Sequence, residues 1–514
     1  DRVPTLRLRI EPEAEQRLRD EPRRYAPAAL VEEGGEAVDD VAVKLKGAVG
    51  SYRDYDDRPG LTVHVARREP DRRFHGLEKF HLNNAVQDET FANEWLFAQL
   101  AAMAGLPAPR VGHVRLWINE RDLGIYVLRE GFDRPFLERH FGSAAGNLYD
   151  GGFCQDVDAE LEKDSGDGVD DRSDIAALVD ACRTEDTAAR REALAARLDV
   201  DRFLTFVALE LMAGHWDGYT ANVNNYRLLF PGGDGPAVFL PHGADQLFGD
   251  PAAPILDPPN GLVARAVMAD PTWREAWRER VRELLPLFDP PDALVSRVED
   301  LGGRLGPVFT SIDPELAATH AERCADLIER LQARAESLRS QAEAPEPQPV
   351  AFDETGRTHP AGWYPGTVSD GVELTMADAD GGPRLTIRAD TGTPCTASWR
   401  CRMRLPRGTY RLRMPAGTAA VAAVADEKGR GAGVRISGEP RDQGLDGDSR
   451  AILEHEFTVA ADGIDVELVA ELRATAGSVT FDAFACELVR LGETEAPPAD
   501  ESLLPPAAPL PGAP

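Results

Sequence analysis

The hydrophobic period of this chain changes once, across the proline-rich stretch Ala342-Glu-Ala-Pro-Glu-Pro-Gln-Pro349, and that change predicts two separately built cores. Before it, apolar residues recur at helical spacing: Leu316, His320, Cys324, Leu327, Leu331 and Leu338 fall on one stripe. After it the period is two. Ala397, Trp399, Cys401, Met403 and Leu405 share one face, with Ser398, Arg400, Arg402 and Arg404 opposite, and Ile464, Val466, Leu468 and Leu472 repeat the pattern. Short strands with glycine turns predict a jelly-roll-like β-sandwich over 351–492. The expected organisation is a mixed α+β domain over 1–341, a linker over 342–350, the sandwich, and a disordered Pro/Ala-rich tail over 493–514.

The chain has 514 residues, 42% hydrophobic and 28% charged, enough to fill such cores. Its formal net charge of −31 argues against nucleic acid or an anionic membrane as partner. No run approaches the ~20 apolar residues of a membrane span. The opening segment Val3-Pro4-Thr5-Leu6-Arg7-Leu8-Arg9-Ile10 reads as a strand with no charged-then-apolar leader; a mature exported chain and a cytosolic one share that property. Six cysteines form no CxxC pair, so a structural zinc site is not expected. Two readings are open for them: buried thiols, or bridges joining Cys154 to Cys182 and two of Cys395, Cys401 and Cys486.

Only five of the 57 basic residues are lysines: Lys44, Lys46, Lys79, Lys163 and Lys428. In so arginine-rich a chain, a persisting lysine marks a place where a compact ammonium is needed and a planar guanidinium would not fit. Three of the five lie between positions 44 and 79.

Residues 1–150 read as a strand-rich lobe with one helix from about Glu89 to Ala104, and 151–341 as a mainly helical lobe. Asp270-Pro271, Asp289-Pro290 and Asp313-Pro314 each look like an N-cap followed by proline at the first helical position. His320 and Cys324 read as core. The acidic stretch 154–174 reads as a solvated insertion, since EF-hand spacing is absent.

The strongest chemical signal is His215-Trp-Asp217-Gly-Tyr-Thr-Ala-Asn222, followed by Asn224-Asn225-Tyr226. Asp217 and Asn222 are five apart, the spacing at which a kinase catalytic loop places its base and its metal-binding amide. A strand, Ala237–Leu240, then leads into Pro241-His-Gly243-Ala-Asp245-Gln-Leu-Phe-Gly249, where Asp245 stands as a second metal ligand would. Upstream, Lys79 on a strand and Glu94 on the next helix suit a phosphate-binding lysine held by a carboxylate. The turn Lys44-Leu-Lys46-Gly47-Ala-Val-Gly50-Ser51 could lay backbone N–H groups over phosphates.

In chain order these segments, with His75-Gly-Leu-Glu-Lys79, Gly105-Leu-Pro-Ala-Pro109, Gly124–Glu130, Gly146-Asn-Leu-Tyr149 and Asp199-Val-Asp201-Arg-Phe203, resemble the CotH kinase family of spore-coat proteins. The resemblance implies an atypical protein-kinase fold using ATP and Mg²⁺ or Mn²⁺ to phosphorylate secreted or cell-surface proteins, a fold class of kinase-like domain plus β-sandwich. Asp217 is then the base, Asp245 and Asn222 or Asn225 the metal ligands, and Lys79, Glu94, Lys46, Gly47, Gly50 and Ser51 the nucleotide-binding residues. Glu130 falls in the hinge that would meet adenine. One departure stands out: the family often has Trp-Asp-x-Asp where this chain has His242-Gly243-Ala244-Asp245. The rival reading is an inactive kinase-fold scaffold or surface protein whose β module binds glycan, with Trp363 and Tyr364 as better binding candidates than Trp399, which falls on the apolar stripe.

Overall fold

The computed structural model describes residues 3–166, 168, 171–255, 259–344, 348–369, 371–379, 382–426, 428–441, 443–459 and 464–492; the tail, the centre of the linker, and Asp167 and Asp170 of the acidic stretch lie outside them. The chain divides into two compact units, Asp1–Glu343 and Ala344–Pro514.

In the first unit, strands β1 (Thr5–Arg9), β2 (Ala26–Glu32), β3 (Ala37–Lys46), β4 (Gly60–His64) and β5 (Lys79–Asn83) join β6 (Val111–Ile118) and β7 (Arg121–Glu130) in a closed barrel of order β1-β2-β3-β4-β5-β7-β6. Helix α1 (Pro12–Asp20) follows β1, and α2 (Asn93–Met103) follows β5. Alternation decides which side chains fill the barrel: Val43, Leu45, Leu61, Val63, Phe80 and Leu82 are buried in its core. The intervening residues of β3, β4 and β5 therefore share the other face. Helix α2 begins four residues later than the sequence suggests, because the Asp88 carboxylate accepts the backbone N–H groups of Thr90 and Asn93 and Phe91 has φ of +58°.

The second lobe of this unit holds α3 (Arg134–Phe141), β8 (Gly146–Asp150), β9 (Glu162–Ser165), α4 (Ser173–Cys182), α5 (Thr187–Ala195), α6 (Val200–Ala213), α7 (Tyr219–Asn222), β10 (Tyr226–Pro231), β11 (Val238–Pro241), α8 (Leu262–Met268), α9 (Pro271–Leu284), α10 (Asp292–Ile312) and α11 (Pro314–Glu343). Its four strands form a sheet of order β11-β10-β8-β9. The long apolar α6 runs through the core and stops at Gly214, which takes φ of +63°. Arg334 of α11, almost wholly buried, donates to the Leu211 and Met212 carbonyls at that helix end (2.7 and 3.0 Å) and to those of Pro251 and Ala253. A cation there satisfies carbonyls the helix cannot and meets the negative end of its dipole.

Several expectations change here. Asp270 and Asp313 cap α9 and α11, but Asp289 caps nothing; it pairs with Arg339 at 2.5 Å, and α10 starts at Asp292. The acidic stretch is not simply solvated: Asp156 accepts from the Tyr219 hydroxyl and the Leu262 N–H, Asp158 pairs with Arg183, and Asp164 with Arg227. His320 is core as expected, its Nε2 3.1 Å from the Thr90 carbonyl.

The second unit is one hydrogen-bonded sheet curled around its own core, consistent with a jelly-roll-like sandwich. Its long strands Gly382–Leu405, Gly408–Ala423 and Ile464–Asp482 carry register shifts, such as that between Asp390 and Cys395, where a bulge lets a strand bend. Trp399 is core, as its stripe predicts. Trp363 and Tyr364 are not open aromatics: Trp363 is buried and donates to the Pro360 carbonyl, and the half-buried Tyr364 donates its hydroxyl to Glu467 at 2.6 Å. All six cysteines are free. The expected Cys154–Cys182 bridge fails because Cys182 packs into the helical core while Cys154 lies exposed in a turn.

Candidate active site

The face of β3, β4 and β5 turned away from the barrel core carries Lys44, Lys46, Thr62, His64, Lys79, His81 and Asn83, paired across the strands as Lys44 with Thr62, Thr62 with His81, and His64 with Lys79. It faces Asp245 and Arg227 of the second lobe, whose charges act on Lys46, and the junction between the lobes is the cleft. In a chain of net charge −31, three of the five lysines converge on this face. Burial, with the neighbouring cations, holds His81 well below its usual range and keeps it neutral.

The lysine that reaches Glu94 is Lys46, not Lys79. Its ammonium donates to Oδ1 of Asn83, and Nδ2 of Asn83 donates to Oε2 of Glu94, so one amide joins cation and carboxylate. Glu94 also pairs with the buried Arg129 of β7 at 3.1 Å. Burial, then repulsion from Arg129, lowers the Lys46 ammonium to about 8, partly offset by Glu94 and Asp245. Lys79 is at the far end of β5, four residues from Asn83, a span of about 13 Å along a strand. There Lys79 lies among Asp133, Asp164 and Lys44.

Asp217 projects from the loop between α6 and α7. Its two carboxylate oxygens accept from Nδ2 of Asn224 (3.1 Å) and Nδ2 of Asn225 (2.8 Å), and Asn225 also donates to its backbone carbonyl at 2.9 Å. The loop is held from below by Glu210, fully buried on α6, which accepts the N–H groups of Tyr219 (3.2 Å) and Thr220 (2.9 Å). His215 links this loop to the next: Nδ1 lies 3.5 Å from Glu210, and Nε2 lies 3.3 Å from the Gly243 carbonyl. Burial alone would lower its pKa, but Glu210 and the carbonyl outweigh that and raise it.

Beyond β11, the Asp245 carbonyl accepts from Nδ2 of Asn93 at 3.0 Å, which fastens this loop to the start of α2. Burial, with repulsion from Glu94, pushes the Asp245 carboxyl up to about 6. A carboxyl in that state gains from a nearby cation. Asn225 spends its N–H on Asp217 and turns Oδ1 toward Gly243, two residues before Asp245. Asn222, by contrast, ends α7 exposed. Among the described residues, no three His, Cys, Asp or Glu side chains are grouped to hold a metal. The donor set fits an ion that takes one or two carboxylates and its remaining ligands from phosphate and water, as Mg²⁺ does. Oδ1 of Asn93, buried in the same loop junction without a hydrogen-bond partner among the described residues, is a further acceptor.

Two more expected contributors differ from expectation. Glu130 is 1% exposed, and its carboxylate is taken by Arg139 (2.6 Å) and by the side chain and backbone N–H of Arg110 (3.0 and 2.9 Å). It anchors the end of β7, leaving no free carboxylate for adenine. In the Gly47–Ser51 turn the N–H groups of Ala48 and Ser51 bond within the turn, and Gly50 abuts the Gln87 side chain. That position brings the turn to Gln87, whose amide lies 3.4 Å from Gln246, beside Asp245. The sequence reading gave no role to Asn83, Arg129, Glu210 or Asn224. Of these, Asn83 was legible: strand alternation from Lys79 through His81 puts it on the same face.

A two-lobed domain in which a strand lysine is tied through an amide to a helix glutamate, with a loop aspartate and a second aspartate after a hairpin, defines a protein-kinase-like fold. The chain belongs to the CotH kinase protein family, whose model matches residues 43–335, more than half of its length. Two proteins of Rhizopus delemar are similar to it: spore coat protein homolog 1, 24% identical over 165 residues (28% of this chain, 26% of that protein), and invasin CotH7, 24% identical over 190 residues (33% and 31%). The chain thus spans between a quarter and a third of the length of these relatives. Structural similarities include a family 61 carbohydrate-binding module in complex with galactotriose (14% identity, 27% of this chain, 92% of that chain, TM-score 0.17) and a xylan-binding CBM22 domain (10%, 26%, 88%, TM-score 0.16). No helix among the described residues is long and apolar enough to cross a membrane.

Proposed function

We propose that this chain is an ATP- and divalent-metal-dependent protein kinase acting on secreted or cell-surface proteins. The observation that carries this reading is the Lys46–Asn83–Glu94 chain within electrostatic reach of Asp245, whose loop His215 joins to the loop bearing Asp217. Asp245 would hold the divalent ion, which would supply positive charge against the phosphates. Lys46 supplies the second positive charge, and Asn83 with Glu94 keeps its ammonium at the cleft wall. Asp217 is fixed by two amide donors, yet each of its oxygens retains acceptor capacity for the proton of a substrate hydroxyl. His215 holds the base loop and the cation loop at a fixed separation through Glu210 and the Gly243 carbonyl.

The second reading is an inactive scaffold. What favours it is Gly243, which leaves one carboxylate in the cation loop. Calorimetric titration with ATP in the presence of Mg²⁺ or Mn²⁺, beside a phosphoryl-transfer assay on surface-protein acceptors, decides between them. Binding with transfer supports the kinase. Binding without transfer, or no binding with either ion, leaves the scaffold.

A further inference from the structure

Outside the cleft, the barrel presents a second basic surface. In the parallel pairing of β1 with β6, Thr5 is opposite Arg115 and Arg7 opposite Trp117. Leu6, Leu8, Leu116 and Ile118 point into the barrel core, so Thr5, Arg7, Arg115 and Trp117 face outward together. Helix α10 passes over this face and leaves a cavity of about 540 Å³, walled on the helix side by Gly303, Arg304, Pro307, Val308 and Ser311. Three guanidiniums thus line it against a single carboxylate, Glu33.

The three arginines are not equally engaged. Arg115 is tied to Asp122 and donates to the Ser311 hydroxyl at 3.0 Å. Arg7 lies over the Trp117 ring at 4.4 Å, and Arg304 over the Trp95 ring at 5.3 Å. Neither Arg7 nor Arg304 forms an ion pair with any described carboxylate, although the chain carries 88 acidic residues against 57 basic ones. A Cβ built at Gly303 meets nothing within 4 Å, so the helix leaves that side of the cavity open.

We propose that this cavity is a binding site for a small multivalent oxyanion of phosphate type, held by Arg7 and Arg304 with the Arg115 guanidinium and the Thr5 and Ser311 hydroxyls beside it. Guanidinium forks match the tetrahedral oxyanion geometry, and the cavity is large enough for a pyrophosphate or a phosphate ester as well as for free phosphate. Arg304 also touches Trp95, the neighbour of Glu94 on α2, so the cavity and the cleft share that helix.

The test is calorimetric titration of the full chain with inorganic phosphate, pyrophosphate and glycerol phosphate at constant ionic strength, without ATP or divalent metal. The variants are Arg7→Gln, Arg304→Gln, Arg304→Lys and Lys46→Met. Expected is saturable binding of at least one probe, weakened about tenfold or more by Arg7→Gln and Arg304→Gln, largely kept by Arg304→Lys, and still saturable in Lys46→Met. The preferred probe names the source of the anion. Arg304→Lys separates loss of the charge from loss of the fold, and melting curves of all variants check the rest. No saturable binding at millimolar probe overturns the proposal, as does equal binding by both glutamine variants. Loss in Lys46→Met alone assigns the anion to the cleft and overturns it too.

Discussion

Gly243 and Asn225 are in a contact that only glycine permits: a Cβ at position 243 would stand 2.6 Å from Cγ of Asn225, and Gly243 has φ of +60°. Asn225 in turn holds Asp217. The position where the family often carries an aspartate is therefore committed, in this chain, to seating the amide that orients Asp217. Gly243→Asp is expected to lower stability by about 1–3 kcal/mol and to reduce transfer instead of improving metal binding. Urea unfolding and a transfer assay on the same preparation check this; a gain in activity would contradict it.

Lys46, Asn83 and Glu94 act as a unit. Lys46→Met and Asn83→Leu should each weaken ATP binding, by about tenfold or more, and the double variant should be scarcely worse than either alone. Lys79→Met should have the smaller effect. Titration calorimetry of the four variants measures the coupling, and additive losses would show that Asn83 does not position the ammonium.

The ammonium of Lys46, lowered to about 8, fixes a pH signature. Its charge is present below that value and lost above it, so attraction for phosphate falls as pH rises through about 8. Metal-free ATP affinity measured from pH 7 to 9 should show this step in the wild type and lack it in Lys46→Met.

Asp245 and Asp217 have separable roles in the proposed reaction. Asp245→Ala should remove metal-dependent nucleotide binding, because it takes away the only carboxylate of the cation loop. Asp217→Ala should leave binding intact and abolish transfer, since in the proposed reaction it would face the acceptor hydroxyl. Calorimetry beside the transfer assay reads both, and an Asp245→Ala variant that binds like wild type refutes the cation site.

Arg334 supports the site from a distance. Arg334→Met would leave the carbonyls at the end of α6 and in the 251–253 loop without donors, at a cost on the order of 3 kcal/mol. Chemical denaturation gives the loss in stability. Reduced activity should accompany it, because α6 leads directly into the loop bearing Asp217.

Much of this was readable from residue order. Strand alternation puts Lys44 with Lys46, and Lys79 with His81, on one face of their own strands, and only the pairing of β3, β4 and β5 joins the two faces; the Asp217 loop stood out by its spacing together with the segments that follow it. What the sequence could not supply was reach. Lys79 and Glu94 are near in sequence, but the strand separates Lys79 from the start of α2, while the distant β3 brings Lys46 beside it. Asn222 matched the kinase spacing, yet the short α7 exposes it, and the positive φ of Asn225 (+50°) turns that residue to Asp217 instead. Glu130 and the acidic stretch 154–174 have partners that the sequence does not show, for a common reason. A carboxylate's role depends on which arginine arrives from another element, as Arg110, Arg139, Arg183 and Arg227 do here.

The concentration of lysines on the cleft wall also bears on the protein's reactivity toward reagents. With 52 of its basic side chains guanidinium groups, the folded chain offers acylating and cross-linking chemistry very few primary amines, and most of them line one groove. At neutral pH a larger share of Lys46 is unprotonated than for an ordinary lysine, so it should be the most nucleophilic of the set. An amine-directed label should therefore read out occupancy of the groove from the whole protein, without a purified acceptor and without knowledge of what that acceptor is.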